Sequence, residues 1–313
     1  MDLRHLRYFI AVAESGQMTR AASRLGIQQP PLSQQIRALE AALGTALFRR
    51  HPKGVALTDS GRLLLGEARR IIADVSALEA LMARVAKGLV GTLSVGFTSS
   101  AAAHAFTPET LREYRGLYPD VEVVLSEHNA AEITAAVASG RLHCGFLRVP
   151  VARPPGVLFE TLLTEPIVVA VPIDHRLARK PGAGRAPVAP RDLHDENLIL
   201  VRRPGAPGLY ANLLAVCAAA GARPRVIAEV ERMMTSLNLV AAGAGVTVVP
   251  ASMQGAHPHA IVYRPFRREV RLDAPITLVC REGELNRSVT MFTSLARSIA
   301  QRWHSPVPPG GVR

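Results

Sequence analysis

Residues 15–43 read SGQMTRAASRLGIQQPPLSQQIRALEAAL and repeat apolar side chains at helical spacing on both sides of Gly26-Ile27. The two apolar sets are Met18, Ala21, Ala22 and Leu25, then Leu32, Ile36, Leu39 and Leu43. Between Ser15 and Leu39 there are three Arg and no acidic residue. This pattern predicts a helix-turn-helix, in which two short helices share a small core and the second is free to enter a major groove of DNA. The alternative is an ordinary amphipathic helical hairpin packed on another domain.

The second predicted helix begins with side chains that suit contact with base edges. These are Gln28, Gln29, Ser33 and Gln34. Gln can pair with the N6/N7 edge of adenine, and Ser can bond to either strand. The exposed face of this helix is therefore the predicted reading surface.

The sequence after the hairpin favours DNA binding over the alternative. Two short extended runs, LFRR at 47–50 and VALT at 55–58, flank the turn His51-Pro52-Lys53-Gly54. They predict a β-wing on which Arg49, Arg50 and Lys53 meet phosphate or the minor groove. A wing directly after a helix-turn-helix is a more specific signal than either piece alone.

The N-terminal part of the chain resembles the LysR-type transcriptional regulators. The resemblance lies in LRHLRYFIAVAESGQMTRAASRLGIQQPPLSQQIRALEAALGTALFRR at 3–50 and in VALTDSG at 55–61. It implies that the helix starting near the Gln-Pro pair is the recognition helix. The residues that it places at or near DNA are Gln28, Gln29, Pro30, Ser33, Gln34 and Arg37. Position 34 is Gln where many members carry Arg, and this departure leaves the base preference open.

Charge is concentrated in the same region. Residues 1–90 hold 13 cations and 7 acidic residues, whereas the whole chain has a net charge of +12. A polyanionic partner explains this clustering, which a generally basic, Arg-rich composition does not.

A long helix is predicted from Thr58 or Ser60, as its cap, to about Lys87. Its apolar residues recur at spacings of four and three and are Leu64, Ala68, Ile71, Val75, Leu78, Met82 and Val85. Such a seam predicts a coiled-coil dimer, which would place two recognition helices on symmetric half-sites. A lone helix packed on its own domain is the alternative.

From Thr92 onward, short apolar runs alternate with helical stretches, which predicts an α/β domain with largely parallel sheets and two subdomains. The predicted strands include 157–163 and 167–171. The predicted domains are 1–58 (winged helix-turn-helix), 59–91 (linker helix), 92–304 (effector-binding) and a disordered tail at 305–313.

The family resemblance adds details of this second part. It implies a fold like that of periplasmic binding proteins, with two Rossmann-like lobes at about 92–162 plus 267–303 and at about 163–266. The ligand would lie in the cleft between them and change subunit orientation, DNA bending and contact with RNA polymerase. The family usually assembles as tetramers.

Two strand ends suggest an effector site for a small organic acid. Hydroxyl groups at Thr98, Ser99 and Ser100 follow the strand 93–97, where an anion site or simple helix capping are both possible. Arg148 follows a second strand in GFLRVP, which resembles a family pattern, and could clamp a carboxylate. Rough alignment with the family adds Asn129, Arg202 and Thr235 as wall residues.

Other chemistry finds little support in the sequence. The three cysteines are Cys144, Cys217 and Cys280, and each sits in an apolar run without close basic partners, so each is predicted to be a small buried hydrophobe. No metal-ligand spacing, cofactor motif or catalytic constellation stands out, and the amphipathic start favours a cytoplasmic protein. The rival interpretation is a small-molecule binding protein or enzyme with an accessory basic N-terminal domain.

Overall fold

The computed structural model describes residues 1–148, 152–179, 187–201 and 210–304. The chain divides into two compact units, Met1–Ala86 and Lys87–Arg313. Among the described residues, no helix is long and apolar enough to cross a membrane. The predicted Arg202 and the tail at 305–313 lie outside the described residues.

The first unit is a three-helix core with a two-stranded wing and a long final helix. Its elements are α1 (Leu3–Ser15), α2 (Met18–Leu25), α3 (Gln29–Leu43), β1 (Phe48–His51), β2 (Gly54–Leu57) and α4 (Asp59–Ala86). Ala21 and Ala22 of α2 and Leu32, Ile36 and Leu39 of α3 are buried together, as the apolar spacing predicts. Gly26 ends α2 at φ 65°, a left-handed conformation that glycine adopts without strain.

The wing is fixed to the helices at both ends. Strands β1 and β2 pair antiparallel, and the ring of Phe48 lies 5.3 Å from that of Phe9 in α1. The Glu40 carboxylate of α3 accepts hydrogen bonds from the Leu47 and Phe48 N–H groups at 2.7 and 3.2 Å. The wing therefore follows the position of α3.

The predicted apolar seam of helix α4 is partly packed against the first unit and partly exposed. Thr58 accepts a hydrogen bond from the Gly61 N–H at 3.0 Å and so caps the helix start. Ala68 is buried in the core of the first unit, with Leu64 and Ile71 packed against it. The later seam residues Leu78, Met82 and Val85 are exposed. The first half of the seam thus packs on its own domain, and only the second half is free for a partner.

The second unit contains a seven-stranded sheet and a separate pair of strands. Its strands are β3 (Gly91–Phe97), β4 (Val121–Glu127), β5 (Cys144–Leu147), β6 (Val157–Pro172), β7 (Asn197–Val201), β8 (Arg225–Val230), β9 (Thr247–Pro250), β10 (Ile261–Pro265) and β11 (Asp273–Arg281). Its helices are α5 (Ser99–Ala102), α6 (Phe106–Leu117), α7 (Ala130–Ala138), α8 (Tyr210–Ala219), α9 (Met233–Ala241) and α10 (Arg287–His304), with short 3₁₀ turns at Pro190–Leu193 and Ala251–Met253.

The large sheet is mixed rather than largely parallel. Its order is β10-β6-β11-β5-β3-β4, with β9 also paired to β6. Strand β3 runs parallel to β4 and β5, whereas β11 is antiparallel to both β5 and β6. The separate pair β7 and β8 is parallel. The α/β class is as predicted, and the antiparallel pairs arise because β6 and β11 return through the middle of the sheet.

The two larger hydrophobic clusters of the second unit divide it into lobes, and a third, smaller cluster includes Ile133 and Val137 of α7. The first lobe centres on β3, β5, α6 and α10, and the second on β7, β9, α8 and α9. Strand β6 passes through both, since Leu162 and Leu163 belong to the first cluster and the residues from Ile167 to the second. The predicted break between 163 and 167 is absent because these residues stay extended between the two cores.

Candidate nucleic-acid interface and ligand cleft

The start of α3 presents a nearly continuous polar surface. Gln28 is the N-cap residue, and proline follows in the first turn, where its missing N–H costs no hydrogen bond. The exposed members of the predicted set are Gln28, Gln29, Pro30, Gln34 and Arg37. Ser33 is half-buried, and its hydroxyl accepts a hydrogen bond from Gln29 at 3.0 Å. This local bond orients Gln29 and occupies the Ser33 hydroxyl as an acceptor.

The wing adds positive charge that nothing in the described part of the chain neutralises. Arg49 and Arg50 on β1, and Lys53 in the turn, are exposed and have no ion-pair partner among the described residues. By contrast, Arg24 and Arg69 both pair with Glu14, at 3.7 and 2.9 Å. The uncompensated cations of the wing therefore remain available to phosphate groups.

The turn of the wing is anchored to the turn between α1 and α2. The Val55 N–H donates to the Gly16 carbonyl at 2.8 Å, and the Gln17 amide donates to the Lys53 carbonyl at 3.2 Å. Gly54 has φ 143°, and a Cβ atom there would lie 2.2 Å from the Gly16 carbonyl oxygen. Only glycine fits this approach, and the bond from Gln17 holds the backbone of Lys53 beside it.

In the second unit, the predicted ligand residues lie where strands lead into helices. Thr98 accepts a hydrogen bond from the Ala101 N–H at 3.3 Å and caps α5, which is the capping alternative at that position. Ser100 is buried, with its hydroxyl 3.4 Å from that of Thr98. Ser99 is half-exposed and makes no side-chain hydrogen bond among the described residues. Ser99 thus keeps the hydroxyl most available to a ligand in this group.

Two further candidates, one from each lobe, lie at helix starts. Asn129 caps α7 in the first lobe by accepting from the Glu132 N–H at 3.0 Å. Thr235 is exposed in the first turn of α9 in the second lobe. Arg232, the N-cap residue of α9, pairs with Glu127 at the end of β4 at 2.9 Å. This ion pair brings the starts of α7 and α9 to the same side of the second unit.

Arg148 is placed differently from the predicted carboxylate clamp. Its guanidinium is buried and lies 2.5 Å from the Glu165 carboxylate. It also donates to the Ser100 and Ala274 carbonyls at 2.8 Å. Glu165 in turn accepts from the N–H and hydroxyl of Ser252, at 2.6 and 2.9 Å. Because Glu165 already supplies a carboxylate to the Nη2 atom, a ligand could take that position only by displacing it, whereas the buried Nε atom has no hydrogen-bond partner among the described residues.

His104 lies beside this buried pair. Its ring is 5.0 Å from that of Trp303, and its Nδ1 accepts from the Phe106 N–H at 3.1 Å. Burial lowers the pKa of His104, the nearby Glu165 acts to raise it, and Arg148 lowers it further. The imidazole is therefore held towards its neutral form.

Sequence reasoning missed four residues that shape this region: Glu127, Glu165, Arg232 and Ser252. A signal existed for Glu165, which is the lone acid in the apolar run LLTEPIVVAV. A carboxylate in a buried strand requires a cationic or hydrogen-bonding partner. The sequence did not identify that partner, because Arg148 lies on a different strand.

Metal-ligating groups and thiols are the remaining candidates for chemistry in the second unit. Within the described ranges, no group of three His, Cys, Asp or Glu could hold a metal ion. All three cysteines are free and buried. Their predicted lack of basic neighbours is wrong for Cys280, because Arg281 and Arg297 both act on its thiol, and for Cys144, because Arg281 acts on its thiol.

Comparison with known proteins gives matches to both units. Residues 3–62 match the family described as "Bacterial regulatory helix-turn-helix protein, lysR family", and residues 86–300 match "LysR substrate binding domain". The HTH-type transcriptional regulator AlsR of Bacillus subtilis is 33% identical over 296 residues, which cover 95% of each protein. The uncharacterized HTH-type transcriptional regulator YnfL of Escherichia coli is 37% identical over 269 residues, covering 86% of this chain and 89% of YnfL.

Solved structures match over nearly the whole chain. The crystal structure of full-length CbnR complexed with its target DNA has a TM-score of 0.79 and 31% sequence identity. The match covers 96% of this chain and 100% of the CbnR chain.

Proposed function

This chain belongs to the LysR family of DNA-binding transcriptional regulators, and we propose that it reads an interrupted inverted repeat in promoter DNA under the control of a small organic acid. The observation that carries the DNA part is the surface of the first unit, which combines the exposed start of α3 with a wing of uncompensated cations. The relatives are named as transcriptional regulators, so the enzyme alternative is excluded.

The proposed reading surface separates two kinds of contact. Gln28, Gln29 and Gln34 offer amide groups to base edges in the major groove. Arg49, Arg50 and Lys53 offer charge to phosphates or the minor groove, which contributes affinity and register but little direct sequence information. Pro30, Ser33 and Arg37 complete the surface by shaping the helix start and supplying one further cation.

A charge-reversal experiment tests the DNA part. The variant Arg49→Glu/Arg50→Glu should lose binding to duplex DNA in a mobility-shift titration, because both changes replace attraction to phosphate by repulsion. The matched control Arg112→Glu/Arg115→Glu makes the same change in net charge on α6, where both residues are exposed. Equal losses in the two variants would show that binding responds only to net charge and would contradict the proposed surface.

The effector proposal rests on the helix starts that converge beside the ion pair of Glu127 and Arg232. The N-termini of α7 and α9 carry partial positive charge and suit a carboxylate. Ser99, Asn129 and Thr235 would supply hydrogen bonds, and Thr98 would hold the backbone of α5. Arg148 would hold the Ser100 carbonyl in place, or would bind the acid directly after Glu165 is displaced. Arg202 would belong to the same wall by family alignment.

A thermal-shift panel tests the effector class. We expect one or more small aliphatic or aromatic mono- or dicarboxylates to raise the melting temperature of the full chain, and the corresponding amides to leave it unchanged. The variant Ser99→Ala should reduce the shift, whereas Ser139→Ala, at the far end of α7, should retain it. Stabilisation by amides and acids alike would contradict the carboxylate assignment.

The assembly is part of the same proposal. The exposed half of the α4 seam would form a homodimer, and two dimers would form the tetramer that the family resemblance implies. Two-fold symmetry then matches an inverted repeat. Effector binding would change the DNA bend and the contact with RNA polymerase, and such a regulator would work in the cytoplasm.

A further inference from the structure

Two cysteines that are far apart in the sequence are direct neighbours in the second unit. Strands β5 and β11 pair antiparallel, and Cys280 is the register partner of Cys144. Side chains of directly opposed residues point to the same face of a sheet. Both cysteines accordingly belong to the same cluster, which also holds Phe146 and Phe292. The pair thus points into the core beneath α10.

The register is compatible with a disulfide. Opposed residues on antiparallel strands have Cα atoms about 4.5 or 5.5 Å apart, according to the hydrogen-bonding pattern. Disulfides join residues with Cα atoms about 4.4–6.8 Å apart. A bond between these two sulfurs therefore needs only rotation of the side chains and a small approach of the strands. Cys217 lies in the other cluster, on α8, and has no cysteine partner.

The two thiols differ in their surroundings. Cys144 is fully buried, whereas Cys280 keeps 7% of its surface exposed. Burial raises the pKa of both thiols, and Arg281 opposes this rise at both. Arg297 also opposes it at Cys280, where the Glu160 and Glu284 carboxylates add to it. Cys280 is therefore the thiol that an oxidant reaches first, and Cys144 is the neighbour that can displace the product.

We propose that Cys144 and Cys280 form a redox pair that closes into a cross-strand disulfide when the protein meets a hydroperoxide. The Cys280 thiolate attacks one peroxide oxygen and becomes a sulfenic acid, while the other oxygen leaves as water or an alcohol. The Cys144 sulfur then attacks the Cys280 sulfur, the S–O bond breaks, and the hydroxyl leaves as water. The two thiols lose two electrons and two protons in total, and the peroxide is reduced.

This bond would tie the two strands that hold Arg148. Strand β5 leads directly to Arg148, and β11 begins beside the Ala274 carbonyl that Arg148 bonds. The disulfide would close a long loop of the chain, which restricts the unfolded state and raises the melting temperature. The reaction should be slow at neutral pH and accelerate as the pH rises, because the attacking species is the thiolate.

The test uses the full wild-type chain and hydrogen peroxide as the probe. Free thiols are counted after unfolding in an alkylating agent, and the alkylated chain is weighed and mapped by proteolysis. We expect the number of free thiols to fall from three to one and to recover fully with dithiothreitol. Proteolysis should give a peptide pair linked through Cys144 and Cys280, with a mass lower by two hydrogens than that of the reduced pair. The oxidised protein should melt several degrees higher than the reduced protein.

Other products would overturn the proposal. Retention of all three thiols in the folded protein would show that the pair does not react, and added oxygen on Cys280 without a link to Cys144 would show that it does not close. The variant Cys217→Ala should give the same linked peptide, with its count falling from two to zero. The variant Cys144→Ala should lose the link and the rise in melting temperature. A link that persists in Cys144→Ala would assign the disulfide elsewhere.

Discussion

At the scale of single residues, the amide and guanidinium groups of the first unit are expected to affect DNA binding in different ways. Replacing Gln28 by Ala should weaken binding to the preferred site by about 1–3 kcal/mol and relax the preference at one base pair. Replacing Arg50 by Ala should weaken binding to all sequences alike and reduce the slope of log K against log salt by about 1. Titrations of specific and scrambled duplexes at several salt concentrations measure both effects. Identical salt slopes and identical losses of specificity in the two variants would contradict the assignment of amide groups to base readout and guanidinium groups to phosphate contact.

The buried pair of Arg148 and Glu165 makes a second prediction at this scale. Arg148→Ala leaves the Glu165 charge buried without its cation and should lower the free energy of unfolding by about 3–5 kcal/mol. Glu127→Gln breaks the exposed pair with Arg232 and should cost about 1 kcal/mol or less. Chemical denaturation of the two variants compares them directly. A loss for Arg148→Ala no larger than that for Glu127→Gln would show that Arg148 is not structurally required.

The sequence predicted the exposed residues of each candidate site better than their buried partners. The exposure of Gln28, Gln34 and Arg37 could be predicted because they interrupt an apolar spacing at one helix, and their contact with DNA stays a prediction. The partner of Arg148 could not be predicted, because Glu165 reaches it only after β6 and β5 are brought together around β11. For the same reason, the sequence could not predict that Cys144 lies opposite Cys280, because this pairing depends on the register of two strands that are distant in the sequence.

At the scale of elements, the junction of α4 with the wing depends on a small residue. A Cβ atom on Gly61 would lie 2.2 Å from the Leu47 carbonyl oxygen, whereas one on Gly66 would meet no atom within 4 Å. Gly61→Ala should therefore destabilise the first unit by about 1–3 kcal/mol. Gly66→Ala, in the same helix, should stabilise it by about 0.5–1 kcal/mol. Thermal unfolding of both variants shows whether each change raises or lowers the melting temperature. Stabilisation by Gly61→Ala would contradict the close packing.

The second half of α4 is the proposed dimer contact. The double variant Leu78→Asp/Met82→Asp places two charges in the exposed seam and should sediment as a monomer where the wild type sediments as a larger species. Leu63→Asp is the matched control, since Leu63 is 77% exposed on the same helix but off the seam. Dissociation by the control variant, or none by the seam variant, would place the dimer contact elsewhere.

Local sequence patterns were sufficient to predict most helices and strands, but they did not predict which apolar runs join into one strand. The predicted helix starting at Thr58 and the strand 93–97 follow from capping and apolar runs, and α4 and β3 agree with them. The runs 157–163 and 167–171 are predicted as two strands because each is a separate short apolar run. They form one strand because β11 pairs along Val157–Pro166, across the gap between the runs, and β9 and β10 pair with the residues from Ile167 onward.

At the scale of the whole molecule, a DNA-reading unit and a ligand-sensing unit are joined in one chain. Composition anticipated this division, because the net positive charge is denser in the first 90 residues than in the rest. The lobes of the second unit share β6 and β11, so a ligand bound at the proposed site, the starts of α7 and α9, would change the relation of the lobes without breaking either core. Periodicity did not reveal the ligand class, which depends on side chains from separate elements.

The central claim is sequence-specific reading of DNA by a symmetric assembly, and selection of binding sites from random duplex DNA by the full-length protein tests it most directly. The selection is run at low and at raised salt, because binding through phosphates alone weakens steeply as salt rises. The account predicts an interrupted inverted repeat that survives raised salt. Recovery of no enriched motif, with affinity lost in salt, would contradict it and leave the first unit as a non-specific basic domain.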